Sequence, residues 1–369
     1  MASEATQRPL IEHFSALKDP RQIWKVVYPL PEIMLLVLCA TLAGAEDFVE
    51  ARLWGVKNLD FLRRFLPFKD GLPSHDTLND VINALDPALF KTCFVAWVED
   101  LRDAEPDIVA IDGKTSRRTY NRRKGREPLH LVSAWAARQR LVLGQEATDA
   151  KSNEITAIPL LLERLALTGA LVTLDAMGCQ TKIAEAIQAK GADYLIAVKD
   201  NWPNLHGEIE RYFEAPPDSL DRHATTDGDH GRIETRRAEL VHDLAWLAES
   251  HGFPGLQAVG RVTATREVDG HATTATRYYL LATPLAAARF AEVVRTHWHI
   301  ENRLHWVLDV VMDEDQARAR KDHAPENLAR LRRFALNLLR ANRDQGSTRG
   351  KLKRAAWDDA FLLKILSTA

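Results

Sequence analysis

The chain has 369 residues, 46% hydrophobic and 27% charged, the composition of an ordinary globular protein with more than one domain and not more than about three. Its three cysteines, Cys39, Cys93 and Cys179, are scattered without CxxC spacing, which excludes a disulfide scaffold or zinc knuckle and fits a reducing compartment. A formal net charge of -2 does not advertise a nucleic-acid partner, so any such function must rest on how charge is distributed.

Residues 1–104 read as a helical N-terminal domain. The longest apolar run, residues 33–45, is about 13 residues, short of the roughly 20 that span a bilayer. It follows Glu32 and a long charged segment, so a buried helix is expected, with no signal peptide and a cytoplasmic protein. Residues 60–65 are amphipathic. Ser74 or Asp76 is the candidate N-cap after the loop 71–77, and Asp86-Pro87 caps a helix through Phe90, Cys93, Phe94 and Trp97.

The pattern changes at Asp107. Residues 107–111 form a short apolar run that ends in Asp112 and a glycine, a buried strand meeting a turn. Strands are expected over 130–136 and 140–148, a helix over 155–165, and a strand over 170–174 that again ends in a carboxylate, Asp175. A helix over 183–189, closed by Gly191, and a strand over 192–198 complete a mixed sheet covered on both faces. Residues 201–285 read as a strand-rich insertion, with alternating segments 259–267 and 273–281 joined around Asp269-Gly270, a good hairpin turn. A long helix follows, apolar at Phe290, Val293, Val294, Ile300, Leu304, Val307 and Val311. Residues 105–200 and 286–323 are thus expected to form one domain, and 324–369 a C-terminal helical tail.

Two basic runs break the balanced composition. Residues 113–126 carry seven basic residues (Lys114, Arg117, Arg118, Arg122, Arg123, Lys124 and Arg126) and no acid, and residues 316–354 carry twelve basic against three acidic. A single run reads as a solvated face. Two in one chain point to phosphate contact, because clustered cations release counterions from DNA.

Asp112 and Asp175 each end an apolar strand. Side by side they would repel unless a cation sat between them, although either alone also reads as a turn or N-cap aspartate. Glu301 shares a helix face with His297, Trp298, Leu304, His305 and Leu308; a carboxylate on so apolar a face must be neutralised, paired with a residue such as Arg295, or metal-bound. Asp309, Asp313, Glu314 and Asp315 read as surface charges. Oxygen-only ligands select a hard ion, Mg2+ with Mn2+ able to substitute. Strand aspartate, strand aspartate and helix glutamate is the ligand order of a two-metal phosphoryl-transfer site. Lys114 and Lys199, just past strand ends, read as phosphate contacts or solvated residues, and Lys151 and Asn153 as part of a helix cap. Arg232, beside His230-Gly231, reads as part of a basic loop or a plain turn. Trp298 and Trp306 read as core.

Eight stretches in order carry a family resemblance: 71–77 (GLPSHDT), 110–115 (AIDGKT), 151–159 (KSNEITAIP), 173–180 (TLDAMGCQ), 192–199 (ADYLIAVK), 230–234 (HGRIE), 297–309 (HWHIENRLHWVLD) and 324–332 (APENLARLR). Over nearly its full length the chain resembles the H-repeat-associated branch of the insertion-sequence DDE transposases. The resemblance implies a ribonuclease H-like core, a Mg2+-binding triad of Asp112, Asp175 and Glu301, and cutting and joining of DNA at element ends. The expected partners are double-stranded DNA, at element ends and target, and further copies of the chain in a homodimer or higher oligomer; no membrane is expected. The chain departs from the broader group's Tyr, Arg, Glu and Lys at offsets -7, -4, 0 and +7, having Val294, His297, Glu301 and Leu308. Ser116 stands where an apolar residue is expected, and Lys199-Asp200-Asn201-Trp202 replaces Lys-Gly-Asn-Gln. His297 is assigned a DNA contact, and the resemblance implies that Lys151 and Asn153 hold DNA or the site. The rival readings are an inactive DNA-binding remnant and a nuclease that cuts without joining.

Overall fold

The structure is a computed structural model that describes residues 8–120, 125, 127–148, 154–216, 220–229, 231–247 and 251–367. Helices come first: α1 (Arg8–Ser15), α2 (Leu30–Leu42), α3 (Phe48–Lys57), α4 (Leu59–Leu62), α5 (His75–Ala84) and α6 (Pro87–Leu101). Helix α2 is buried almost all round, as an apolar helix must be, and its one acid, Glu32, accepts the Phe68 backbone N–H at 2.8 Å. Ser74 caps α5 through the Thr77 N–H, and Asp86 caps α6 through Ala88 and Leu89. Of the amphipathic stretch 60–65 only the short α4 is helical. Among the described residues no single helix is long and apolar enough to cross a membrane.

Strands β1 (Ile108–Ser116), β2 (Leu129–Ala136) and β3 (Leu141–Thr148) form an antiparallel meander, followed by α7 (Glu154–Arg164), β4 (Leu171–Leu174), α8 (Thr181–Ala189) and β5 (Asp193–Val198). Next come α9 (Pro203–Glu214) and β6 (Asp221–Asp229), β7 (Arg232–Val241), β8 (Ala258–Val268) and β9 (His271–Leu281). All nine strands belong to one mixed sheet of order β3-β2-β1-β4-β5-β9-β8-β7-β6. β1, β4 and β5 are parallel, and β9 joins β5 antiparallel through Leu195–Val198. The segment expected as an insertion therefore extends the central sheet. Asp269 and Gly270 both take positive φ, 51° and 75°, as a two-residue hairpin turn requires. A second departure concerns β1: it does not stop at Asp112 but continues in register against β2 to Ser116.

The expected long helix is broken. α10 (Ala287–His297) lies on the sheet, with Phe290 edge-on to Tyr279, and gives way to a π-helical turn, Glu301–His305, before α11 (Trp306–Val310). The C-terminal helices are α12 (Ala324–Ala341), α13 (Thr348–Trp357) and α14 (Asp359–Leu366). Helix α12 is no tail. Phe334 packs among Phe14, Phe90, Phe94 and Trp97 at centroid distances of 4.7–5.6 Å. Asn337 donates to and accepts from the Val142 backbone of β3, each at 2.9 Å, and Asn327 donates to the carbonyls of Ile82 and Leu85. The first and last parts of the chain share one core with the sheet between them.

Phe334→Ala should therefore lower the free energy of unfolding by about 3–5 kcal/mol, the cost of emptying an aromatic site in a packed core. Denaturant melts would show it; a loss below about 1 kcal/mol would mean that α12 does not share the core of the N-terminal helices.

Candidate active site

The motif Asp112-Gly113-Lys114-Thr115 is a strand whose alternate side chains face opposite ways. On one face, Thr115 Oγ1 lies 2.7 Å from His130 Nδ1, and His130 Nε2 lies 2.7 Å from Glu154 Oε1, a buried chain linking β1, β2 and the start of α7. A Cβ on residue 113 would collide with that His130–Glu154 pair, so only glycine fits.

On the other face stand Asp112 and Lys114. Asp112 is largely withdrawn from water, and burial pushes its carboxyl up to about 6. The neighbouring His305 and the Gly113 N–H, at 2.9 Å, counter that rise, whereas Asp175 and Glu154 add to it. Asp175 follows β4 directly, and the parallel β1–β4 ladder ends at Ile111 and Leu174, so the two aspartates extend adjacent strands, which run about 4.8 Å apart. The Asp175 loop is held from two sides. Its carboxylate accepts the N–H groups of Met177 and Gly178, while Asn201 Nδ2 and Trp202 Nε1 donate to the carbonyls of Ala176 and Cys179, both at 2.7 Å. The clamp on this loop thus combines Asn201, which the resembled family shares, with Trp202, which departs from it.

Glu301 opens the π-helical turn. Its side chain is 59% exposed, contrary to the buried face expected. A hydrogen bond from His305 Nδ1, at 3.0 Å, holds its carboxyl below the usual range, and the same nitrogen lies 3.7 Å from Asp112 Oδ2. Ligand atoms of Asp112, Glu301 and His305 all lie within 4.8 Å of one another, a group that does not include Asp175. His305 is buried and its Nε2 has no partner among the described residues. A desolvated carboxylate, a second acid and an unsatisfied imidazole suit a divalent cation. The cluster differs from the oxygen-only set expected from sequence in that an imidazole stands beside the two carboxylates. Arg295 pairs with Asp227 and not with Glu301.

Lys114, expected at a DNA phosphate, is buried instead. Its ammonium is shared by Asp309 at 2.6 Å, Asp315 at 3.4 Å and Glu314 at 3.5 Å. One of those acids, Glu314, is far from the surface charge expected. Glu314 is 1% exposed and paired at 2.6 Å with the fully buried Arg333. Burial works to raise the Glu314 carboxyl, but Arg333 and Lys114 outweigh it and hold it down to about 2.

The other expected DNA contacts fare variously. Arg117 is exposed and 3.6 Å from Asp315, and Arg118 and Lys199 are exposed. Arg232 is exposed at the start of β7 and lies 3.3 Å from Glu234. His297 hydrogen-bonds Thr173 on β4 at 2.9 Å; burial pushes its imidazole down to about 4, so it carries no charge at neutral pH. Trp298 and Trp306 are 49% and 54% exposed, not core. Arg122, Arg123, Lys124, Lys151, Asn153 and His230 lie outside the described residues. In the C-terminal basic run, Arg330, Arg332, Arg333 and Lys351 are buried. His305, His130, Glu154, Asn201 and Trp202 were not identified from sequence as site residues; the i, i+4 spacing of Glu301 and His305 was the available signal for the first.

Two family models match the chain: the transposase DDE domain over residues 103–338 and the DDE_Tnp_1-associated region over residues 11–98. It is 39% identical over 371 residues to the "H repeat-associated putative transposase YhhI" of Escherichia coli K12, covering 98% of both chains. The "Putative protein YbfL" of the same strain matches equally, at 39% and 98% of both chains. The "Putative transposase YncI" of Escherichia coli O157:H7 is 37% identical over 97% of this chain and 94% of its own.

Because the folded-state carboxyl of Glu314 lies below its unfolded value of about 4.3, its stabilisation is complete above that pH and is lost as pH falls towards about 2. Glu314→Gln should lower stability at pH 7 and flatten the acid limb of the stability–pH profile between about pH 4 and 2. Equal acid limbs in the variant and the parent would remove the buried pair from the account.

Proposed function

We propose, on the premise that the chain belongs to the transposase DDE-domain family, that it cuts DNA at the ends of a mobile element and joins the freed ends to target DNA. The convergence of Asp112 and Glu301 beside His305, with Asp175 on the adjacent strand, carries this reading. The strands β1 to β5 with α7, α8 and α10 to α11 would be a ribonuclease H-like core.

Asp112, Asp175 and Glu301 would hold divalent ions, Mg2+ or Mn2+. Such ions supply charge neutralisation at phosphorus and activation of the attacking oxygen. The chain's own part is placement. The Asn201 and Trp202 bonds fix the loop that carries Asp175, and His305 sets the Glu301 carboxylate. In hydrolysis the water oxygen bonds to phosphorus as the bond to the 3′ oxygen breaks, and that oxygen leaves as a 3′-hydroxyl. In joining, the same hydroxyl attacks a target phosphodiester and a target 3′ oxygen departs. Neither displacement needs a covalent protein nucleophile.

Arg117, Arg118, Arg122, Arg123, Lys124, Lys151, Asn153, Lys199 and Arg232 remain proposed DNA contacts. Lys114 is withdrawn from that set because its charge is spent on three acids, and His297 because its ring is buried and hydrogen-bonded to Thr173. Two or more copies of the chain would assemble on the DNA, with the N-terminal helices serving binding or assembly.

Asp112→Asn, Asp175→Asn and Glu301→Gln should each cut the rate of Mg2+- or Mn2+-dependent end cleavage by roughly 10³-fold or more while duplex binding persists. A Glu301→Gln chain that keeps over about a tenth of the activity would move the third ligand elsewhere. Supplying pre-cut ends with a 3′-hydroxyl tests joining directly: a parent chain that cleaves but yields no joined product is a nuclease.

A further inference from the structure

At the end of β1 and β4 opposite the aspartates, a cavity of about 450 Å3 opens between the β2–β3 turn and the α10 segment. Four arginines line it, Arg138, Arg140, Arg289 and Arg303, with His299, whose imidazole burial and the neighbouring arginines keep neutral. Its acids are Asp107 and Glu292. Those acids are already engaged. Asp107 accepts the backbone N–H groups of Arg138 and Gln139 at 2.8 and 3.1 Å, and Glu292 pairs with Arg289 at 2.6 Å. Arg138 is taken up by Asp103 and Glu105. Arg140 and Arg303 have no carboxylate partner among the described residues.

Beneath them lies a third guanidinium. Arg340 donates to the backbone carbonyls of Arg140, at 3.2 Å, and of Arg303, and lies 4.3 Å from the centre of the Trp135 ring. It too has no carboxylate partner among the described residues. Burial, Arg140 and Arg303 push its charged form down to about 9. Arg140 takes a left-handed φ of 59°, a conformation an arginine adopts at a cost, so the turn presents this side chain under strain. Like charges kept together against their repulsion, with every nearby acid spent, are the arrangement of an anion site.

We propose that this cavity binds a backbone phosphate of duplex DNA through Arg140 and Arg303. This assignment rests on the DNA reading of the catalytic acids. Ile108 lines the cavity and Asp112 stands four residues along the same strand, about 13 Å away. That distance corresponds to about four base pairs of duplex. The ligand chemistry, a phosphate oxygen, is shared with free inorganic phosphate, and the test separates the two.

The test uses the full chain and a fluorescent duplex titrated across a salt series, with Arg140→Ser/Arg303→Ser as the variant. Each neutralised phosphate contributes about 0.9 to the slope of log affinity against log salt, so a variant that loses this one phosphate should flatten the slope by about 0.9. Arg140→Lys/Arg303→Lys should retain it, and Arg140→Gln alone, at an exposed position, should lose about half of that amount. Without DNA the Ser variant should melt no lower than the parent, because removing like charges relieves Arg340. An unchanged slope in the Ser variant, or a melting temperature that falls with no change in slope, overturns the proposal. Inorganic phosphate at millimolar concentration that raises the melting point of the parent but not of the variant, with equal DNA slopes, assigns the cavity to a small anion and overturns the DNA ligand. If the parent binds no duplex at any salt, the DNA reading itself fails.

Discussion

Lys114 stands two residues beyond Asp112 on the same face of β1, and its ammonium is shared by three carboxylates from the segment that follows Glu301. One strand register thus fixes two relations at once. The position of Asp112 is set by pairing with β2, and the segment carrying Asp309, Glu314 and Asp315 is drawn onto β1 by a buried charge. Glu314 extends the link to Arg333 inside α12. A buried ion pair of this kind adds little stability over apolar packing, yet losing either partner leaves an uncompensated charge, so it specifies geometry. Strand β1, the π-helical turn and helix α12 are held in one register by it.

The second constraint is that the site keeps acids close together, with His305 between two of them. Asp112 is desolvated beside Asp175, and Glu301 relies on His305. The π-helical turn matters here because Glu301 and His305 are its two ends, so the local widening of the helix sets where that pair stands relative to β1. His297, one turn earlier on α10, holds that helix to β4 through Thr173. In the broader transposase group an arginine is expected at this offset. Here a neutral imidazole pins the helix instead.

Strand limits, caps and the Asp269-Gly270 hairpin were legible because each is a local signal: period-two alternation, a side-chain oxygen before a helix, two residues tolerant of positive φ. The end of β1 was misread because Gly113 usually marks a turn. Here it is demanded by the His130–Glu154 pair across the sheet, which local sequence does not reveal. The same blindness to tertiary partners made Glu314 look like a surface charge and α12 like a tail. Helical periodicity placed Glu301 and His305 on one face, but it could not show that the helix widens there, nor that Glu301 is open to solvent. Trp298 and Trp306 read as core for the same reason, since an apolar face on a helix flanking a site need not be covered.

Charge is where the sequence misleads most. The run 316–354, with its excess of basic residues, suggests a DNA-facing surface, yet four of its cations are buried, and Arg333 is spent on Glu314. Within 113–126 the one described lysine is likewise spent internally. A cluster of lysine and arginine in sequence therefore reports the cations available, not the potential outside, which depends on how many acids fold back onto them. Counterion release needs cations whose charge is not already cancelled. By that criterion Arg140 and Arg303, which lie in neither run and have no carboxylate partner among the described residues, are better placed to attract phosphate than Lys114 or Arg333. The net charge of -2 is then no obstacle to holding DNA, because much of the positive charge is used to build the fold and a few cations are left unmatched at one end of the sheet.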